Sequence, residues 1–141
     1  MQLVLSVDGT DICRMEIWED KAPQLCAQFR EKLPMKSMLQ HAKLNGDLIF
    51  FTLPLVAPWE NKYLTQDVGR ERIAKYGKVA GAVCFYSPRQ QFCINYGEDT
   101  TEEPLPISYI GEVIEGEMAL KLTGYETWAD QSRVVELRIA A

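Results

Sequence analysis

Two spacings of apolar residues alternate along the chain, and each marks a different kind of element. In residues 1–7, Leu3, Leu5 and Val7 alternate with Gln2, Val4 and Ser6, the period of two expected of a strand. Asp8-Gly9 supplies turn chemistry, and residues 12–18 resume the alternation with Cys13, Met15 and Ile17 on one face. Asp-Gly between alternating runs predicts a hairpin. The period then lengthens. Ala22, Leu25, Cys26, Phe29 and Leu33 recur at helical spacing, while Lys21, Gln24, Gln28, Arg30, Glu31 and Lys32 fall on the opposite face. Asp20 is placed to cap this helix, Pro23 suits its first turn, and Pro34 ends it. The pattern predicts an amphipathic lid over a sheet or barrel mouth.

Residues 37–44 and 47–53 read as the arms of a second hairpin, with Asn45-Gly46 supplying the two positive φ angles of a type I′ turn. Leu48, Ile49, Phe50 and Phe51 do not alternate, which predicts a strand covered on both faces. Pro58-Trp59-Glu60-Asn61 reads as a loop, and residues 66–76 as a short helix capped by Asp67. Strands are predicted at 79–86, 91–96, 107–113 and 134–140, with a helical turn or short helix at 117–121 between Gly116 and Gly124. Many short strands and few helices point to one mainly β domain spanning 1–141, an antiparallel sandwich or barrel.

Composition narrows the function classes. The chain is 47% apolar and 25% charged, average globular usage, and its net charge of −5 disfavours nucleic acid and anionic membranes as partners. Neither a basic leader nor an apolar run of spanning length is present, so a cytoplasmic location is expected. Cys13, Cys26, Cys84 and Cys93 form no CxxC pair and sit in apolar segments, which predicts buried free thiols. With His41 the sole histidine, neither a metal nor a cofactor is expected. No nucleophile signature or phosphate loop is present, and the acidic stretch through Glu98, Asp99, Glu102 and Glu103 lacks calcium-loop spacing.

Several blocks, in order, resemble the cyclophilin superfamily. Residues 20–29, Asp-Lys-Ala-Pro-Gln-Leu-Cys-Ala-Gln-Phe, are similar to the segment opening the first cyclophilin helix. Gln91-Phe92-Cys93-Ile94 resembles its Gln-Phe-Phe-Ile strand, and residues 110–116, Ile-Gly-Glu-Val-Ile-Glu-Gly, its late Phe-Gly-x-Val-x-x-Gly block. The likeness is closer to small prokaryotic cyclophilin-like proteins without a settled activity. These share a strand like Gly46 to Phe51 and a later aromatic, proline and apolar block like Tyr86 to Gly97. The resemblance implies a closed eight-stranded antiparallel barrel with one or two capping helices.

It also implies where chemistry belongs. Prolyl isomerases of this superfamily place an arginine on the strand that here reads Ile49-Phe50-Phe51-Thr52-Leu53-Pro54, and no basic residue stands there. Cys93 replaces a pocket phenylalanine, while Gln91 keeps its register. The expectation is therefore a side groove binding a small organic ligand or a peptide segment, with no catalytic residue named. Trp59, Glu60, Asn61, Tyr86, Arg89, Gln91 and Phe92 are the candidate contacts, with Phe51 and His41 behind them. Two alternatives stand beside it. One is a divergent prolyl isomerase using Arg89 and Gln91, and the other is an enzyme of another class using Glu60 or His41 for acid–base work. The apolar loop carrying Trp59 also offers a homodimer contact.

Overall fold

The alternation read from the sequence winds a single antiparallel sheet. The computed structural model describes residues 1–141. In chain order its elements are β1 (Gln2–Val7), β2 (Thr10–Ile17), α1 (Pro23–Lys32), β3 (Met35–Met38), β4 (Gln40–His41), β5 (Gly46–Thr52) and β6 (Lys62–Leu64). Then come α2 (Thr65–Tyr76), β7 (Ala82–Tyr86), β8 (Gln91–Thr100), β9 (Pro106–Glu115), α3 (Glu117–Ala129) and β10 (Val134–Ile139). Neighbouring strands run β3-β10-β1-β2-β9-β7-β8-β5-β4, and β6 adds to β9 off this path.

The two ends of that order explain how the sheet closes. β3 and β4 are consecutive pieces of one extended segment, parted only by Leu39. β3 pairs with β10 along Met35–Met38, and β4 pairs with β5 through Gln40 and His41. One segment thus bonds both edges and makes a nearly closed barrel with eight positions around its wall. Ser37 Oγ donates to the Thr52 carbonyl at 2.6 Å where β3 passes β5. Closure removes the exposed strand edges that invite aggregation.

Inside, side chains form rows set by register. Phe51, Phe92 and Phe85 align across β5, β8 and β7, all but sealed from solvent, with Phe51 and Phe92 stacked at 5.1 Å. Each such burial contributes about 1.5–3 kcal/mol. Helix α1 buries Leu25, Cys26 and Phe29 at one end of the barrel, and Phe29 meets Phe92 edge-on. Helix α3 lies against β2, β4, β5 and β8.

Several local expectations need correcting. Asp20 does not cap α1; the residue before the helix is Ala22, with no side-chain cap of its own. Asp67 lies within the first turn of α2, and the residue preceding that helix is Leu64. Asp8 and Gly9 do carry the positive φ pair of a tight hairpin (48° and 83°). Asn45 does not have a positive φ. Residues 43–45 make a 3₁₀ turn, which cuts short the strand predicted over 37–44. Gly46 alone turns left-handed, φ 92°, and a Cβ there would strike the Asp99 carbonyl. Helix α3 runs well past 121, and Gly124 lies in its middle, where a Cβ would enter the Tyr96 ring. β8 continues to Thr100 through part of the predicted loop, and the short strand β6 was not anticipated.

Candidate functional site

The outer face of β5, β8 and β7 supplies the floor of a groove. Parity decides its residues. Phe50, Cys93, Cys84 and Tyr109 form one cross-strand row and Thr52, Gln91 and Tyr86 another, while the intervening Phe51–Phe92–Phe85 row points inward. A second apolar cluster, built on Val68, Cys84, Cys93 and Ile107 with Leu48, Phe50 and Tyr86 against it, lies on this outer face. The Leu48–Phe51 run is therefore covered on both sides. Above the floor, Thr65 and Val68 of α2, Asn45, and the Thr100–Leu105 segment wall a cavity of about 350 Å³. Few-hundred-Å³ clefts with apolar linings and scattered polar groups are the usual form of small-ligand sites.

Tyr86, Arg89 and Gln91 line this groove; the other six candidates do not. Phe51 and Phe92 are core residues with no exposed surface. Trp59 is half-buried at the margin, its ring edge-on to Tyr86 at 5.9 Å with the Lys62 ammonium over it. Glu60 is buried and engaged elsewhere. Its carboxylate accepts the backbone N–H groups of Gln24 (2.9 Å) and Leu25 (2.8 Å), so it caps α1 from a distant loop. Carboxylates are favoured there because the first-turn N–H groups lack partners inside the helix. Asn61 takes a left-handed φ of 48° and donates through Nδ2 to the Tyr109 carbonyl at 2.7 Å. Gln28 and Val56 bond one another twice, so the 53–61 loop is fastened to α1 at two points.

His41 pairs in register with the core residue Ile49 and so faces the barrel interior. Its Nε2 lies 2.6 Å from the Tyr96 hydroxyl, Trp128 covers the ring at 5.2 Å, and Nδ1 has no partner. Burial and the nearby Lys43 cation push the His41 pKa down. Burial and the Asp47 carboxylate push Tyr96 up to about 12.

Sequence reasoning missed the rest of the lining, chiefly Phe50, Cys84, Cys93 and Asn95. The signal was present as the pairing of Gln91 with Cys93 and Asn95 at a spacing of two. Burial raises the Cys93 thiol to about 12, and Cys84 also rises, from burial and its Cys93 neighbour, so both are neutral at pH 7. Several polar lining groups are already engaged: Asn45 and Thr101 bond the Glu103 carboxylate, and Thr65 the Glu103 carbonyl. Arg89 makes no ion pair, and the side-chain amides of Gln91 and Asn95 have no hydrogen-bond partner within the chain. An unpaired guanidinium and two free amides thus stand over an apolar floor. No group of three or more His, Cys, Asp or Glu side chains is arranged to hold a metal ion.

Residues 4–134 match the model of DUF3830, described as a protein family of unknown function. The chain belongs to the DUF3830 family. Among solved structures it is similar to McbB in complex with tryptophan, at 20% identity and a TM-score of 0.76. That alignment covers 99% of this chain and 45% of McbB, so the chain spans less than half of that protein's length. It is also similar to the hypothetical protein AF2241 from Archaeoglobus fulgidus, at 22% identity and TM-score 0.67, covering 99% and 95% of the two chains. A cyclophilin-type peptidyl-prolyl cis-trans isomerase of Cryptosporidium parvum aligns at 10% identity and TM-score 0.59, with 99% and 97% covered. The DUF3830 chain therefore has a cyclophilin-like fold. No match was found among curated proteins. No helix is long and apolar enough to cross a membrane.

Proposed function

We propose that this DUF3830 chain is a binding domain whose outer groove takes a small organic acid with a flat apolar body. The observation that supports this reading is a set of lining groups free of partners within the chain: a solvent-exposed Arg89 without a carboxylate, and the part-exposed side-chain amides of Gln91 and Asn95. A guanidinium recognises a carboxylate through paired N–H donors, and the Phe50, Val68 and Ile107 surface would exclude water from an aromatic ring. McbB, the similar structure, is described in complex with tryptophan, a molecule of that chemistry. The prokaryotic, cytoplasmic setting expected from the sequence is consistent with a metabolite ligand. A peptide segment ending in a carboxylate would satisfy the same groups.

The test is calorimetric titration of the wild-type chain with aromatic amino and carboxylic acids, L-tryptophan first. Arg89→Ala should weaken any binding at least about tenfold, the effect of removing one charge-assisted pair. Affinity unchanged in Arg89→Ala would refute the anchoring role, and no binding by any acid of the panel would refute the ligand class.

Prolyl isomerisation is the second reading, favoured only by the neighbouring Arg89 and Gln91 at the groove. The β5 strand, where the superfamily resemblance places the arginine, has none. A protease-coupled assay on an Xaa-Pro peptide, showing no rate above the uncatalysed one at micromolar protein, would exclude it.

A further inference from the structure

Helix α3 is built inside out. The face it turns to the barrel carries Leu120, Thr123, Gly124 and Thr127. Small residues are needed there because Gly124 lies flat on the Tyr96 ring, and Thr127 Oγ1 folds back on the Thr123 carbonyl at 2.6 Å. Most of its large apolar residues stay half-exposed or more: Met118 is 70% exposed, Leu122 55%, and Tyr125 50% and Trp128 54% even with one side of each ring against Tyr96 and His41. A surface helix of a free-standing domain has the reverse arrangement. At about 150–250 Å² per large side chain, these fractions leave roughly 500 Å² of apolar surface. That is at the upper end of what monomeric proteins expose.

The pattern of the stripe suits a second copy of itself. Met118, Leu122, Tyr125 and Ala129 are spaced four, three and four apart, a sequence of intervals that reads the same in both directions. Laid antiparallel across a two-fold axis, Leu122 meets the partner's Tyr125 at the centre, and at each end Met118 meets the partner's small Ala129. Lys121 then falls on the flank that carries the partner's Trp128, placing an ammonium against an indole. The acidic flank residues are already neutralised within their own chain. Glu117 holds Lys78 at 2.7 Å and Glu126 holds Arg133 at 2.9 Å, so two approaching helices do not present bare like charges. A symmetric pair would bury about 1,000 Å² in all, the lower bound for a specific interface.

We propose that α3 is a homodimer interface, with two copies of the chain packed α3 against antiparallel α3 across a two-fold axis. No residue of α3 lines the groove, so the proposal stands apart from the ligand reading.

Sedimentation equilibrium of the full chain from micromolar to high micromolar concentration tests it. The expected result is a reversible monomer–dimer equilibrium, weakened at least about tenfold by Leu122→Glu and by Tyr125→Glu. Val56→Glu, at an exposed apolar site on another loop, should leave it unchanged. Thermal melts of each variant check that it folds. In a Leu122→Cys/Tyr125→Cys variant, mild oxidation should cross-link copies into covalent dimers. A chain monomeric throughout, or a dimer that survives Leu122→Glu, would overturn the proposal. So would a dimer lost in Trp59→Ala but kept in Leu122→Glu, which would move the contact to the Trp59 loop.

Discussion

Replacing Glu60 with alanine separates a structural carboxylate from a chemical one. In the folded chain its two oxygens accept the Gln24 and Leu25 N–H groups at 2.9 and 2.8 Å, and the Leu25 contact is buried. Loss of a helix N-cap costs about 0.5–2 kcal/mol. A buried N–H left without a partner costs about 1–3 kcal/mol more. Together these give about 1.5–5 kcal/mol for Glu60→Ala. For a domain of this size that lowers Tm by about 5–17 °C. Glu60→Gln keeps one acceptor oxygen and should lose about half as much. Urea unfolding followed by circular dichroism reads both, with an unchanged m-value showing that the unfolded state is not altered. A loss below about 0.5 kcal/mol in Glu60→Ala would refute the capping argument. Loss of ligand binding at unchanged stability would return Glu60 to the groove chemistry.

Other variants probe the barrel interior and its thiols. Gly124→Ala drives a methyl into the Tyr96 ring and should destabilise by about 1–3 kcal/mol, read by the same unfolding curves. Tyr96→Phe strips the only partner from His41 Nε2 and should cost about 1–3 kcal/mol. Since folding lowers the His41 pKa, the unfolded chain binds the proton first. Stability should therefore fall as pH drops below about 6.5, and His41→Asn should flatten that slope. His41 is the only histidine, so the slope has one source of this type. Burial raises all four thiols, to about 11 for Cys26 and about 12 for Cys13 and Cys93. A colourless-to-yellow thiol reagent should react with none of them within minutes in the native state and with four in denaturant.

How much could be read from the chain alone depended on whether the solvent face was polar. β2 and α1 alternate an apolar and a polar face, and their place and type were legible; β1 was legible from the Leu3-Leu5-Val7 alternation, although Val4 and Ser6 on its other face are buried as well. β5 is covered on both sides, so nothing in Leu48-Ile49-Phe50-Phe51 says which parity faces the core. The groove residue is Phe50 and the core residue is Phe51, whereas the candidates named Phe51 and its inward neighbour Phe92. The length of α3 was hidden because its apolar residues face water and its barrel face is Thr and Gly. Gly124 looked like a terminator when it is a packing notch for Tyr96. Asn45-Gly46 looked like a type I′ turn, but close approach to Asp99 requires the glycine alone. The long-range cap from Glu60 has no local sequence signal, because its partners lie 35 and 36 positions away.

Amide chemical-shift mapping of the labelled chain titrated with L-tryptophan is the most direct test that the outer groove is the ligand site. Perturbations centred on Phe50, Cys84, Gln91 and Cys93, and lost in Arg89→Ala, are the predicted result. Shifts confined to another face, or shifts at the groove that persist without the Arg89 guanidinium, would contradict it.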